Sequence, residues 1–450
     1  LSSIKNVIRA AALLAGALLQ NSVLQGSVPS AIAIKDAHVV TVSSEELPKA
    51  TVLLRNGLIE DVGPQLTIPP DAWVIEGAGL TVYPGFVNAL GTWGLAARPA
   101  GTGGQSAEPR AKGPEDRPQN FSYERAADTL NVADSKLEAA RAAGFTSSVT
   151  FPDRGIFRGL GAFINLSGER GRDMVVAEPV GQEIALSTGR GFRSFPGSLM
   201  GYISYIRQMF LDLAQYEQAK TLYAANPSGQ RRPEYDHTLE GLQESPRLLL
   251  PADESQQIER MLRFGAELNK PFMLYGLHEG FKEVDQLKQA NVPVLISLKW
   301  PEKPKDEDPA DVPDYRDLVL REQAPAVPGL LAKAGVKFAF YSDGEDSAAD
   351  LKKALKKAID AGLSRPDAIR ALTLTPAEIY GVADRTGSIV KGKIANLVVT
   401  KGDAFEEKTT VEYVFVDGKQ FRPPQESEKP PGGGGRRPRL TNALSEEGGR

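Results

Sequence analysis

The chain has 450 residues, 41% of them hydrophobic and 24% charged, with no cysteine and three histidines. That composition excludes disulfide scaffolds, zinc fingers, iron–sulfur clusters and thiol nucleophiles, and it caps any imidazole-based metal centre at three rings. Acidic and basic side chains nearly balance, 57 against 53, so there is no basic excess for a nucleic acid, while the apolar share is enough to fill a core.

In chain order, residues 1–30 place Lys5 and Arg9 ahead of a short apolar run at 10–19. A basic stretch followed by an apolar one too short for a stable transmembrane span is the export-signal pattern. It predicts a periplasmic or secreted protein; the alternative is a helix packed on a cytoplasmic body. Residues 31–42 carry the β-branched density of strands, and 51–62 form a hairpin around Asn56-Gly57, a pair suited to the two positive-φ positions of a type I′ turn. Residues 98–120, rich in Gly, Pro and charge, read as a long surface loop. Asp134 caps a helix through Ala143, and 145–151 follow as a strand. From Arg247 to Ala361 strands and helices alternate at regular spacing. Residues 202–245 interrupt that rhythm with an aromatic-rich helix, read as an insertion. Strand patterns return at 395–400 and 411–416, the latter leading into the turn pair Asp417-Gly418. Beyond Phe421 the text is a Pro/Gly/Arg mixture that cannot bury enough apolar surface to fold.

Alternating strands and helices of this spacing predict an α/β fold of parallel units, either a (β/α)8 TIM-like barrel or a doubly wound open sheet. No Gly-x-Gly-x-x-Gly or Walker loop follows any strand, which weakens a nucleotide reading.

Several segments resemble the amidohydrolase superfamily, specifically the imidazolonepropionase-like and dihydroorotase-like metal-dependent hydrolases. They are Gly57-Leu-Ile-Glu-Asp-Val-Gly63, Val82-Tyr-Pro-Gly-Phe-Val-Asn-Ala89, Ala368-Ile-Arg-Ala-Leu-Thr-Leu-Thr-Pro-Ala-Glu-Ile-Tyr-Gly381 and Gly387-Ser-Ile-Val-Lys-Gly-Lys-Ile-Ala-Asn-Leu-Val-Val399. The resemblance implies a distorted (β/α)8 barrel at 85–385, carrying the 98–120 loop and the 202–245 insertion. It also implies a small composite β-sandwich built from 31–84 and 386–421, with 1–30 as signal or helix and 422–450 as a disordered tail. In activity it implies hydrolysis of non-peptide C–N bonds, amide or cyclic amide. The cofactor would be one or two divalent metals held by a His-x-His pair after the first barrel strand, further histidines after the fifth and sixth, often a carboxylated lysine after the fourth, and an aspartate after the eighth.

Against that pattern, Leu90 and Thr92 stand where the His-x-His pair belongs, and the strand resembling the fifth ends Leu250-Pro251-Ala252-Asp253 without histidine. His278 follows the sixth and Asp343 the eighth. The usual dinuclear site is therefore read as largely lost, leaving which metal, if any, undetermined. Asp343 and His278 are the candidate catalytic pair, and with Asp253 the candidate metal ligands. For Asp343 the bland reading is a cap for the following helix, for His278 a hydrogen-bonded rim histidine, and for Asp253 a helix start. Arg154 and Arg158 lie in a Gly-rich loop able to bind a carboxylate, and Lys299 lies at a strand end able to hold an anion or form an imine. The partner expected is a small polar molecule, in a homo- or hetero-oligomer or a monomer. The alternative to an active hydrolase is a catalytically inactive binding protein or partner subunit.

Overall fold

A computed structural model describes residues 31–96, 117–186, 195–303, 312, 314–345, 347–406 and 409–423. The expected export segment, the C-terminal tail beyond Pro423 and nearly all of the expected 98–120 loop lie outside the described residues.

Both ends of the described chain enter one eight-stranded sheet. Its strands are β1 (Ala31–Val39), β2 (Leu47–Arg55), β3 (Leu58–Gly63), β4 (Ala72–Glu76), β5 (Thr81–Pro84), β16 (Leu397–Lys401), β17 (Thr410–Val416) and β18 (Lys419–Phe421). Asn56 and Gly57 both take positive φ, 52° and 80°, and close the β2–β3 hairpin as its sequence predicts. Asp417 and Gly418 do the same for β17–β18. β1 accepts β2 on one edge, and β4 then β5 on the other; β5 in turn pairs antiparallel with β16. Ile34, Val52, Leu54, Val82, Leu397, Val399 and Phe415 form a single apolar cluster, so the early and late strands share one core.

The remaining strands form two smaller sheets. One runs β10 (Val175–Ala177), β9 (Ala162–Asn165), β7 (Phe145–Thr150), β6 (Phe86–Gly91). The other runs β15 (Phe338–Tyr341), β14 (Val294–Ser297), β13 (Phe272–Gly276), β12 (Leu248–Ala252), β11 (Gln182–Ile184), β8 (Phe157–Leu160). From β11 to β15 all pairs are parallel, while β8 and β9 run antiparallel to their neighbours. The sheets are thus mixed, and the hydrogen-bonded ladder does not close into a barrel. Because β8 and β9 are separated only by Gly161, one short stretch of chain belongs to both sheets.

The helices are α1 (Lys136–Ala142), α2 (Leu199–Ala225), α3 (His237–Glu244), α4 (Ser255–Glu267), α5 (Val284–Ala290), α6 (Tyr315–Gln323), α7 (Val327–Ala334), α8 (Ala348–Asp360), α9 (Arg365–Leu372) and α10 (Leu374–Tyr380). α4 buries Ile258, Met261, Phe264 and Gly265, the helical spacing of an amphipathic face on a sheet. Within the expected insertion, α2 is 27 residues long and buries Tyr202, Tyr205, Ile206, Met209 and Leu213. Among the described residues no helix is long and apolar enough to cross a membrane.

Strand alternation separates two cores. Leu248, Leu250, Leu274, Val294, Ile296, Phe338 and Phe340 pack into the same core as residues of α4, α7 and α8. The intervening residues Leu249, Met273, Leu295, Ala339 and Tyr341 join Val87, Ala89 and Val149 in a second cluster. That second, inner face is the one whose upper end carries the polar residues described below.

The free edges β6 and β15 are tied by a side chain. Asn88 Oδ1 accepts from the Ser342 backbone N–H at 2.9 Å, and its Nδ2 donates to Ser342 Oγ at 3.2 Å. The amide is fully buried. A Cβ at Gly91 would come within 2.6 Å of Asn88 Nδ2, so the strand leaves room for this bridge. Asn88→Ala strands a buried N–H, and we expect a loss of about 2–3 kcal/mol in urea unfolding. Ser342→Ala, which keeps the backbone donor satisfied, should cost about 1 kcal/mol or less. Equal, small effects of both would show that the bridge bears no load.

Candidate functional site

The C-terminal ends of β11 to β15 and the turns after them present the polar inner face. Glu183 on β11 is buried, and its neighbours in sequence, Gln182 and Ile184, face the other way by alternation. It forms an ion pair with Arg158 of β8. Burial pushes the Glu183 carboxyl above the ordinary carboxylate range, against the pull of Arg158. Burial also opposes charge on Arg158, but there Glu183 outweighs it and the guanidinium holds its proton more firmly. Beside them, Tyr275 donates its hydroxyl to the Ile184 carbonyl at 3.0 Å and meets Tyr341 edge to face, ring centroids 6.4 Å apart. Burial raises both phenols, the negative charge of Asp343 adding to the shift for Tyr341, so both stay protonated.

Asp343 sits at the turn after β15 with φ 52°, followed by Gly344 at 84°. Ser297 Oγ, at the end of β14, donates to Asp343 Oδ2 at 2.8 Å and accepts from Lys299 N at 3.1 Å. Asp343 is not the cap of the next helix. Ser347 caps α8, accepting from Asp350 N.

His278 and Asp253 are brought together. His278 Nδ1 lies 2.8 Å from Asp253 Oδ1, and the His278 backbone N–H donates to the same oxygen at 3.1 Å. Burial would raise Asp253, but the hydrogen bonds and charge of His278 prevail and hold its carboxyl below the ordinary range. The ring packs edge-on to Trp300, and Nε2 is buried with no hydrogen-bond partner. The helix start read at 252–255 forms: α4 begins at Ser255 with Glu254 as the flanking residue, and Asp253 lies just before it.

The other candidates divide. Arg154 is paired with Glu124 and stacks 3.7 Å above the Phe121 ring, so both arginines expected to receive a ligand carboxylate already hold one of the protein's own. Lys299 is exposed at the edge of a cleft. Leu90 is buried in the inner cluster and Thr92 is half-buried. Among the described residues no group of three or more His, Asp or Glu converges as a metal shell would require. The donor set does not fit the dinuclear centre the resemblance implies: the positions it assigns to the His-x-His pair hold leucine and threonine, and His278 has only Asp253 beside it.

Sequence reasoning missed Glu183, Tyr275, Tyr341 and Ser297. The available signal was the alternation itself: once one inner residue of each strand is known, every second residue is inner too, including a carboxylate in an apolar run.

The amidohydrolase family model matches residues 275–421. An amidohydrolase from Thermotoga maritima MSB8 superposes with a TM-score of 0.70 at 27% identity, over 87% of this chain and 100% of that one. Over residues 275–421 the chain carries the amidohydrolase family's pattern, and it is similar to a solved amidohydrolase over most of its length. A Xaa-Pro dipeptidase with bound methionine shares the fold, with a TM-score of 0.52 at 15% identity over 87% of this chain and 100% of that one. No curated protein matches the chain. That likeness implies a TIM-barrel-like α/β fold, with which the parallel β11–β15 run and its covering helices agree.

Removing one member of a buried ion pair leaves the other charge uncompensated. Arg158→Met should therefore destabilise by about 3 kcal/mol at neutral pH. Glu183 then titrates higher still in the folded state than in the unfolded one. The folded state binds the extra proton, so stability is retained at low pH and lost as pH rises through the unfolded value toward the folded one. Urea midpoints across pH 4 to 8 should show the variant's deficit shrinking on the acid side; a deficit independent of pH would place the cost elsewhere.

Proposed function

We propose that this amidohydrolase-superfamily chain has exchanged its dinuclear metal centre for internal side-chain pairs and binds a small polar molecule at the C-terminal face without metal-dependent hydrolysis. The observation that carries the reading is the Arg158–Glu183 pair, flanked by Tyr275 and Tyr341, which fills the inner face where open ligand positions would be needed. A Lewis-acid site requires donors free to coordinate, and here the charged groups neutralise one another. We take the two smaller sheets as parts of one distorted (β/α)8 barrel, joined at Gly161 and at Asn88, and the eight-stranded sheet as the composite β-sandwich beside it. Export to the periplasm or beyond remains part of the proposal.

A second reading keeps C–N bond hydrolysis, and one observation favours it: His278, oriented by Asp253, has a buried Nε2 without a partner. An imidazole held in this way can take a proton from water attacking an amide carbonyl. The two readings part in one set of measurements. After equilibration with zinc or manganese and removal of excess, elemental analysis should find well under one metal ion per chain, unchanged in Asp343→Ala. Stoichiometric metal lost on Asp343→Ala overturns the first reading. Turnover of amides, lactams or dipeptides that His278→Ala abolishes establishes the second.

A further inference from the structure

The long helix α2 has two unlike faces. Tyr202, Tyr205, Ile206, Met209 and Leu213 are buried on the side against the body. On the opposite side Met200, Leu211 and Leu222 are 80%, 59% and 50% exposed. Each is eleven positions from the next, which is three helical turns to within about 20°, so the three fall in one line. Between them stand Ser204, Gln208, Gln215 and Gln218, all exposed and all uncharged. We propose that this stripe joins two copies of the chain, their α2 helices antiparallel and Leu211 on the two-fold axis.

Two features select a second copy as the occupant. The first is charge. The chain is 24% charged, yet the stripe carries no charge along its length. On the flanks of α2, Arg207 is paired with Glu267, Asp212 with Arg117 and Lys220 with Glu240. An isologous contact sets a surface against itself, so a stripe of one sign would repel its own copy and a neutral one does not. A partner recognised by its charge would find nothing here to read.

The second feature is symmetry. Counted from Leu211, apolar side chains stand at −11 and +11, and neutral polar ones at −7, −3, +4 and +7. Reversed, the pattern is nearly the same. Antiparallel pairing therefore sets Met200 on the partner's Leu222, Ser204 on the partner's Gln218, and Leu211 on its own copy. Each glutamine amide offers both donor and acceptor, so the polar positions can satisfy one another.

The pairing also supports the end of the helix. From Ala214 to Ala225 α2 buries no residue, and Tyr216 and Lys220 tie this half to Glu240 of α3. Helical stretches of about 12 residues are marginal in water unless an apolar face is packed. The stripe measures about 35 Å by about 10 Å on each copy. That is small for a protein interface, which makes the dimer weak and reversible, with Kd on the order of 10 µM.

Sedimentation velocity of the full chain from about 1 to about 200 µM brackets that value and should show monomer passing to dimer. Leu211→Glu sets two like charges on the axis and should raise Kd at least tenfold, roughly the cost of one unpaired buried charge. Leu211 is exposed, so the urea midpoint of this variant should stay at the parent value. The chain has no cysteine, so a single introduced thiol reports the geometry cleanly. Oxidised with copper phenanthroline, Leu211→Cys should give a disulfide-linked dimer. Met200→Cys should not, because the two copies of that position lie about 33 Å apart in the antiparallel pair. A monomer at every concentration overturns the proposal, whether the Leu211→Cys thiol is open to maleimide or covered by another part of the chain. A dimer that persists in Leu211→Glu, or one that Met200→Cys cross-links as readily as Leu211→Cys, overturns it as well.

Discussion

Between the first and last strands of the inner sheets there is no backbone ladder, and the amide of Asn88 takes its place. One carboxamide supplies an acceptor for the Ser342 N–H and a donor for its hydroxyl, the two functions a neighbouring strand would have offered. The position matters because Ser342 immediately precedes Asp343, and Asn88 lies two residues before Leu90. The amide therefore fixes the spacing between the turn that carries Asp343 and the strand that carries Leu90. Tyr380, from the last helix of this region, adds a second tie by donating to the Ala89 carbonyl at 2.7 Å. On the same inner face Glu183 is buried.

A carboxylate in that position is costly unless something answers its charge. In a metal-dependent hydrolase a cation would do so; here Arg158 does. In an arginine–carboxylate pair each charge answers the other, and the pair's hydrogen bonds fix both side chains. The protonated phenols of Tyr275 and Tyr341 add bulk and dipoles but no exchangeable charge near neutrality. Polar capacity moves outward, to His278 with its single unsatisfied nitrogen and to the mixed charges along α8. Inner and outer polar groups are complementary in this sense: the inner set is spent on itself, and the outer set is not.

The parts of the fold legible in the sequence are those written locally. Asn56-Gly57 and Asp417-Gly418 encode their turns in two residues, and the alternation after Arg247 encodes helix and strand through spacing alone. The lineage was legible for the same reason, because its motifs are contiguous. The site was less so. Asn88 and Ser342 are 254 positions apart, and Arg158 and Glu183 are 25 apart on different strands. No local pattern distinguishes a ligand-seeking arginine from one already paired. Asp343 and Ser347 show the limit at shorter range: both types cap helices, and only the path of the chain through Gly344 decides that Ser347 does it.

The eight-stranded sheet sets an order on biosynthesis. β5 is made early, yet its antiparallel partner β16 emerges only after some three hundred further residues have left the ribosome. Until then one edge of the nascent sheet is unpaired, and core residues such as Ile34 and Val82 lack Leu397 and Phe415. Such a chain carries an unpaired, aggregation-prone edge until β16 is made. Any factor that slows the final segment should therefore act on the solubility of the first.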